Sequence, residues 1–293
     1  MSLKPVLLDP ALPFSELGEG PHWDHRSQMF YWVDITGCTI HKYDMALQKY
    51  EFCKTPSSVG FIIPDSEETV IAGLKDGIYR VHFDTGKVTP IVLPEQHADV
   101  RFNDGKCDRQ GRLWGGTMHN KGGDHPEALG KLYRWDGQSL DTIEEGVFIT
   151  NGLGWSPDSR TMYFTDTVNR TIWQYDFDPE TGTPSNRRIF REFSGAGRPD
   201  GLTVDSQGRV LSAQWPGWGV EIFTPDGKPD GVIELPVPQV SSVTFGGPDF
   251  KTLFITTASS GMTPEQIAEA PLSGQVFTVE MDVPGLPANC VKS

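Results

Sequence analysis

Short segments in which apolar and polar residues alternate recur along the whole chain. They are rich in Val, Ile, Thr, Phe, Tyr and Trp, as in the stretches 29–34 and 161–166. Polar turns that contain Gly, Pro or Asp separate them, for example at 84–86 and 224–227. A period of two with β-branched and aromatic side chains indicates strands, so the pattern predicts an all-β protein.

The segments fall into six units of roughly 40–50 residues, which is the length of a four-stranded propeller blade. The units open near residues 18, 58, 102, 150, 199 and 241. We therefore predict a six-bladed β-propeller, with four antiparallel strands per blade, as a single domain over residues 1–293. An early strand near 5–9 is expected to pair with the last unit near 274–282, because ring closure hides exposed sheet edges.

Two stretches interrupt the repeat. The polar segment 119–130 lies between two strands of the third unit and is a candidate lid or rim loop. The other stretch has the pattern of a helix start. Thr263 is the expected N-cap, Pro264 takes the first helical position and Gln266 completes a capping box.

Composition narrows the classes of partner. The chain has 293 residues, of which 37% are hydrophobic and 22% charged, as in soluble globular proteins. Its formal net charge of −14 repels phosphate backbones, so we expect no nucleic-acid partner. No apolar run approaches the roughly 20 residues of a membrane span. The four cysteines form no CxxC pair, which predicts free thiols and a cytoplasmic location.

An acidic or amide residue precedes a glycine at the opening of four units. These residues are Glu19, Asp104, Asn151 and Asp200. The innermost strand of a propeller blade lines the central channel, so equivalent positions in different units converge on the channel mouth. The remaining two units carry uncharged residues there.

Carboxylates that converge in a narrow channel repel each other, and their burial costs several kcal/mol each unless a cation compensates. An all-oxygen ligand set favours Ca²⁺, Mg²⁺ or Mn²⁺, although Zn²⁺ and Fe²⁺ also fit. We therefore predict one divalent metal ion at the central channel. Turn formation is the competing interpretation: it is favoured for Asp104, stays open for Asn151 and Asp200, and suits Glu19 least.

Other polar residues lie near the predicted mouth. Arg101 could hold substrate oxygens, balance the carboxylates or form a surface salt bridge. His119 opens the insertion and is a candidate substrate contact, whereas His22 is expected to pack within an inner strand. The chain has no Gly-x-Ser-x-Gly elbow and no Walker loop, which argues against a serine hydrolase or a nucleotide enzyme.

Six motifs in chain order resemble the SMP-30/gluconolactonase/luciferin-regenerating enzyme family, whose animal members include regucalcin. The motifs are Gly18-Glu19-Gly20-Pro21-His22-Trp23, Arg101-Phe102-Asn103-Asp104-Gly105-Lys106, Gly115-Gly116-Thr117-Met118, Thr150-Asn151-Gly152-Leu153, Pro199-Asp200-Gly201 and Phe245-Gly246-Gly247-Pro248. Each is weak alone, but together they span nearly the whole chain.

The resemblance implies a six-bladed propeller that hydrolyses sugar lactones to aldonic acids. It places the metal ligands on Glu19, Asn151 and Asp200, and the substrate contacts on Arg101 and Asn103. Asp200 is the expected general base, and Arg101 and Asn103 are expected to donate hydrogen bonds to the sugar oxygens or the developing alkoxide.

The resemblance leaves the substrate and one alternative class open. Bacterial sugar lactonases share the Met118-His119 pair, which favours a pentonolactone or hexonolactone. Lys121 replaces a Glu of some animal members, so the sugar preference and its lid contacts stay undecided. The alternatives are a non-enzymatic, regucalcin-like calcium-binding protein and a hydrolase of other esters or phosphotriesters. The expected partner is a small sugar lactone, and the expected state is a monomer or weak homo-oligomer.

Overall fold

Six four-stranded antiparallel sheets make up almost all of the fold. The computed structural model describes residues 3–94 and 97–292, and every strand within them belongs to one of these sheets. The first strand of each sheet contacts the first strand of the next, and that of the last sheet contacts that of the first. This arrangement confirms the predicted six-bladed β-propeller.

The strands follow the chain order, with the innermost strand first in each blade. Blades 1 to 3 comprise β2 (Gly18–Asp24), β3 (Met29–Asp34), β4 (Thr39–Asp44) and β5 (Lys49–Lys54); β6 (Val59–Pro64), β7 (Thr69–Leu74), β8 (Ile78–His82) and β9 (Val88–Val92); and β10 (Val100–Cys107), β11 (Leu113–His119), β12 (Gly130–Trp135) and β13 (Leu140–Val147). Blades 4 to 6 comprise β14 (Thr150–Trp155), β15 (Thr161–Asp166), β16 (Thr171–Asp178) and β17 (Thr183–Glu192); β18 (Arg198–Val204), β19 (Val210–Trp215), β20 (Gly219–Phe223) and β21 (Pro229–Glu234); and β22 (Val240–Gly246), β23 (Thr252–Thr257), β24 (Phe277–Glu280) and β1 (Val6–Leu7).

The N-terminal strand β1 closes the ring. Val6 pairs with Thr278, and Leu7 pairs with Phe277 of β24. The outer edge of blade 6 is thereby formed by the start of the chain, and this confirms the predicted closure.

The two interruptions of the repeat also have defined structure. Helix α1 (Pro264–Glu269) follows β23, and its N-terminus carries the predicted capping box between Thr263 and Gln266. The insertion between β11 and β12 contains a 3₁₀ turn at Gly122–Asp124. No helix in the described part of the chain has the length and apolar character that crossing a membrane requires.

The hydrophobic core lies between neighbouring blades. Phe30 of blade 1 stacks on Phe254 of blade 6 at 4.3 Å between ring centroids, and Phe61 packs edge-on against Phe102 of the next blade at 5.9 Å. These rings are fully buried. The aromatic residues of the sequence pattern therefore join the blades as well as building the sheets.

Every inner strand carries a β-bulge at the repeated motif. The register shifts fall at Glu19/His22, Val59/Phe61, Phe102/Gly105, Asn151/Leu153, Pro199/Leu202 and Val240/Ser242. A bulge breaks the strict alternation of side chains and can re-aim one of them. The bulges thus interrupt the regular alternation of side chains at equivalent positions of the six inner strands.

The glycines of the motif have a packing role. A Cβ on Gly60 would lie 2.6 Å from the Asn103 carbonyl oxygen, and one on Gly152 would lie 2.6 Å from that of Asp200. Only glycine lets neighbouring inner strands approach this closely. The repeated glycine therefore sets the width of the channel at the level of the polar residues.

The C-terminal segment covers the opposite end of the channel. Ser206 donates its backbone N–H to Pro284, and the side chain of Asn289 donates to the Cys107 carbonyl oxygen at 3.3 Å. Above this segment lies a cavity of about 80 Å³ lined by His22 and Lys106.

Candidate metal centre

Three carboxylates from three blades meet in the channel. Glu19 lies on β2, Asp104 on β10 and Asp200 on β18, and their exposed fractions are only 4%, 5% and 6%. The charges of Glu19 and Asp104 act on Asp200, and the charge of Asp104 acts on Glu19. Strands far apart in sequence therefore place three acidic groups around one point.

The environment of these groups disfavours their ionised forms. Burial raises the pKa of Glu19 to about 8, and the charge of Asp104 adds to the effect. Burial also raises the pKa of Asp104. The pKa of Asp200 is raised well above its ordinary value, first by burial and then by the charges of Glu19 and Asp104. All three can ionise together only with a compensating cation.

The free lone pairs of these carboxylates fit a metal ion. Asp200 Oδ1 is buried and has no hydrogen-bond partner among the described residues. Glu19 and Asp104 each accept one hydrogen bond from the N–H of the following glycine, at 2.9 and 2.7 Å. These bonds hold the carboxylates while leaving acceptor capacity free. An all-oxygen set of this kind suits a hard divalent cation.

Asn151 is the amide member of the predicted ligand set. It lies on β14 and is buried, and its Nδ2 donates to Thr167 Oγ1 at 2.9 Å. Thr167 in turn donates to the Pro199 carbonyl oxygen at 2.8 Å. Because Nδ2 is engaged, Oδ1 is the atom that Asn151 offers toward the carboxylates.

Asn103 links this amide to Arg101. Its Nδ2 donates to Asn151 Oδ1 at 2.9 Å and to the Thr150 carbonyl oxygen at 2.8 Å, while its Oδ1 accepts from Arg101 Nη1 at 2.7 Å. Both N–H groups of Asn103 are therefore used. In this arrangement the second lone pair of Asn103 Oδ1 is free and can accept from a hydroxyl, and the expected donation by Asn103 to a sugar stays a prediction.

Arg101 faces the centre. Burial lowers its pKa to about 10, and the nearby charge of Glu19 opposes that decrease. Its Nη1 also donates to the Phe102 carbonyl oxygen at 2.9 Å. These contacts favour the interpretations in which Arg101 balances carboxylates or holds a substrate.

A histidine cluster forms the rim next to Arg101. His119 ends β11, and its ring centroid lies 3.9 Å from that of His125 and 6.2 Å from that of His97. Nitrogen and oxygen atoms of His97, Asp99 and His119 lie within 4.8 Å of one another. The Lys121 N–H donates to His119 Nδ1 at 3.0 Å, however, so the neutral ring carries its proton on Nε2. Metal-binding histidines need the reverse arrangement.

The His119 ring therefore presents an N–H donor rather than a metal ligand at Nε2. A sugar hydroxyl can accept a hydrogen bond from Nε2–H, so this geometry is compatible with the predicted contact between His119 and the substrate. His22, in contrast, is buried within β2, and burial lowers its pKa to about 3. This agrees with its predicted packing role.

The structure adds two residues to the description of the channel. Asp104, for which a turn or strand-capping role was favoured, lies at the bulge inside β10, where it accepts from the Gly105 N–H and its charge acts on Glu19 and Asp200. Lys106 lies on the same strand, and its Nζ donates to the Leu202 carbonyl oxygen at 2.7 Å. The available signal was a lysine within a predicted innermost strand, where a charged side chain cannot reach bulk solvent freely.

The chain is similar in sequence and fold to known proteins. The profile of the SMP-30/Gluconolactonase/LRE-like region matches residues 17–259. The chain is 35% identical to the 6-deoxy-6-sulfogluconolactonase of Pseudomonas putida, covering 97% of this chain and 96% of that protein. It is 36% identical to the pentonolactonase XacC of Haloferax volcanii, covering 92% and 93%. A solved luciferin-regenerating enzyme superposes with a TM-score of 0.91 at 34% identity, covering 99% of this chain and 100% of that one.

Proposed function

The chain belongs to the SMP-30/gluconolactonase/LRE-like family, and we propose that it is a metal-dependent sugar lactonase that opens an aldonolactone to the aldonic acid. The observation that carries this proposal is the group of buried carboxylates with the unpartnered Asp200 Oδ1, next to the Arg101–Asn103 pair. The sugar lactonases among its relatives support lactone hydrolysis as the reaction.

Glu19, Asn151 and Asp200 would hold the divalent cation through oxygen atoms. When bound, such an ion supplies Lewis-acid polarisation of the lactone carbonyl group. Asp104 lies next to these residues and adds negative charge. Ca²⁺, Mg²⁺ and Mn²⁺ are the best candidates for an oxygen-only set.

Asp200 is the general base of the proposed reaction. A water molecule attacks the carbonyl carbon, and the unpartnered Oδ1 accepts its proton. A carboxylate beside the ion can take up this proton without leaving the ligand set. The bond between the carbonyl carbon and the ring oxygen then breaks, and the proton held by Asp200 passes to the ring oxygen, which becomes a hydroxyl group while Asp200 returns to its ionised form.

Arg101, Asn103 and His119 orient the sugar. The guanidinium of Arg101 keeps donors free, because the two bonds described above both involve Nη1. Asn103 Oδ1 accepts from a sugar hydroxyl, and His119 Nε2–H donates to another. Two donors and one acceptor on one side of the centre match the hydroxyls and ring oxygens of a lactone.

The size of the sugar follows from the relatives rather than from the site. A pentonolactonase and a 6-deoxy-6-sulfogluconolactonase among them support an aldonolactone of five or six carbon atoms. A monomeric or weakly oligomeric state and a cytoplasmic location stay predictions.

A lactone panel crossed with a metal panel tests the proposal. Protein stripped with EDTA is supplied with Ca²⁺, Mg²⁺, Mn²⁺ or Zn²⁺, and acid release is followed from glucono-, galactono-, xylono- and arabinonolactone. We expect a metal-dependent rate on at least one lactone that disappears in Asp200→Ala. If no lactone is opened with any metal, although the protein binds Ca²⁺, the calcium-binding alternative is favoured. Aryl esters in the same assay test the ester hydrolase alternative.

A further inference from the structure

The acidic centre contains a cation of its own. We propose that Lys106 is a fixed counter-charge that, together with Asp104, sets the charge of the metal ion that the channel accepts. This inference rests on the proposed metal centre and assigns its preference for a divalent over a trivalent ion to two residues outside the predicted ligand set.

The position of Lys106 is fixed across the channel. The residue lies on β10 of blade 3, and its ammonium group donates to the Leu202 carbonyl oxygen on β18 of blade 5 at 2.7 Å. These strands belong to blades that are not adjacent. The side chain therefore reaches across the channel, toward the strand that carries Asp200.

The Lys106 side chain is half-buried at the inner end of the channel. It lines the cavity of about 80 Å³ together with His22, and Pro287 and Asn289 of the C-terminal segment line the same cavity. His22 is neutral at ordinary pH, because burial lowers its pKa to about 3. Lys106 and the exposed Arg109 are thus the basic groups that line this cavity, and the charge of Lys106 acts on Glu19 and Asp104.

Electrostatic effects connect Lys106 with the carboxylates. Burial lowers the pKa of Lys106, and the charges of Asp104 and Glu19 raise it. In return, Lys106 lowers the pKa of both acids. Three ionised carboxylates with the positive charges of Lys106 and Arg101 sum to a charge of −1, and loss of the Lys106 charge would make it −2. Arg101 acts on Glu19 from the mouth and stays unchanged in the variants below.

A purely structural role for the Lys106–Leu202 contact makes a different prediction. Loss of a structural contact alters the affinity for all ions of similar size by a similar factor. Loss of a charge acts in proportion to the charge of the ion, because the Coulomb energy is proportional to it. The comparison of Ca²⁺ with Tb³⁺, two oxygen-binding ions of similar size, therefore separates the two roles.

The experiment measures the affinities of EDTA-stripped protein for Ca²⁺ by calorimetry and for Tb³⁺ by sensitised luminescence. For Lys106→Met we expect about tenfold tighter Ca²⁺ binding and about thirtyfold tighter Tb³⁺ binding. Asp104→Asn should weaken the binding of both ions, and the decreases in the logarithm of the affinity for Ca²⁺ and for Tb³⁺ should stand in the ratio of about 2:3. The Tb³⁺-to-Ca²⁺ affinity ratio should rise about threefold in Lys106→Met and return to about the wild-type value in the double variant Lys106→Met/Asp104→Asn. Lys228→Met, an exposed lysine paired with Asp226, is the matched control.

The outcomes separate this inference from the proposed function. A wild-type protein that binds neither ion contradicts the metal centre itself. A wild-type protein that binds both, with equal changes for the two ions in Lys106→Met, overturns the role of Lys106 while leaving the centre intact. Thermal melting establishes that each variant is folded. Should Lys106→Met fail to fold, an unchanged Tb³⁺-to-Ca²⁺ ratio in Asp104→Asn overturns the inference.

Discussion

Buried carboxylates at the two ends of the same inner strands differ in their partners. Directly after β10 and β18, Asp108 and Asp205 are fully buried and each accepts an Arg Nε–H at 2.6 Å, from Arg112 and Arg209. Each also accepts backbone N–H groups of its turn. A few residues earlier on β18, Asp200 keeps a buried oxygen without a partner among the described residues.

Burial of an Asp or Glu side chain therefore does not by itself indicate a functional site. Asp108 and Asp205 hold the hairpins together, because every charge is matched by an arginine and backbone donors. Glu19, Asp104 and Asp200 are kept close together with raised pKa values, an arrangement that costs stability unless something binds there. The unmatched end is the one that we assign to function.

Asp200→Ala should have the largest effect on activity. Removal of both a ligand and the general base is expected to lower kcat by at least about 10³-fold and to abolish metal binding. The metal-free variant should melt no lower than the metal-free wild type, because repulsion within the centre is relieved. The measurements are initial lactonase rates and melting curves with and without the ion. A variant with near-wild-type turnover after EDTA treatment and metal return would rule the scheme out.

Asp205→Asn is the matched change at the other end of β18. It should lower the stability of the fold and leave the rate of turnover nearly unchanged. It removes the charge of the buried partner of Arg209, which keeps only its longer contact with the partly exposed Asp230, so we expect a loss of about 3 kcal/mol in the free energy of unfolding. Urea unfolding measures this loss, and turnover per folded molecule should stay close to wild type. A large drop in turnover with unchanged stability would reverse the assignment of the two ends.

Thr167→Val tests the support of the ligand set. The Thr167 hydroxyl accepts from Asn151 Nδ2 and donates to the Pro199 carbonyl oxygen, which fixes the orientation of the amide. Its loss should weaken metal binding by about tenfold, as for other outer-shell partners. Calorimetric titration measures this change. Equal affinity in the variant and the wild type would show that the amide is oriented by other contacts.

The smallest expected effect is a pH dependence of the metal-free melting temperature. The folded-state pKa of Glu19, about 8, lies above its ordinary value of 4.5, so the folded protein retains a proton that the unfolded chain releases. Stability from this group is present below pH 4.5 and is lost as the pH rises toward 8. The melting temperature of wild type minus that of Glu19→Gln should therefore fall by a few degrees across this window. Added cation should stabilise most at its upper end, whereas a flat difference would contradict the raised pKa.

The sequence was sufficient for the architecture. The aromatic alternation and the regular Asp-Gly turns determine the strands, and the capping box at Thr263 follows from a local pattern. Such features depend on neighbours along the chain, so they can be predicted without knowing the packing.

The details of the site depended on the ring. Asp104 looked like a turn residue because Asp-Gly is a common turn pair, but a bulge places it inside β10. The hydrogen bonds that use up both donors of Asn103 come from residues nearly fifty positions away, and Lys106 meets a carbonyl group 96 positions away. Only the closed arrangement of blades brings these groups together.

Dependence of the lactonase activity on a metal ion in the channel is tested most directly by the lactonase rate of EDTA-stripped protein, measured before and after one equivalent of a divalent cation is returned. We predict almost no turnover in the stripped protein. The rate should recover near a 1:1 ratio of ion to protein in the wild type and in Asp205→Asn, but not in Asp200→Ala. Full turnover of the stripped protein in excess EDTA would contradict this dependence.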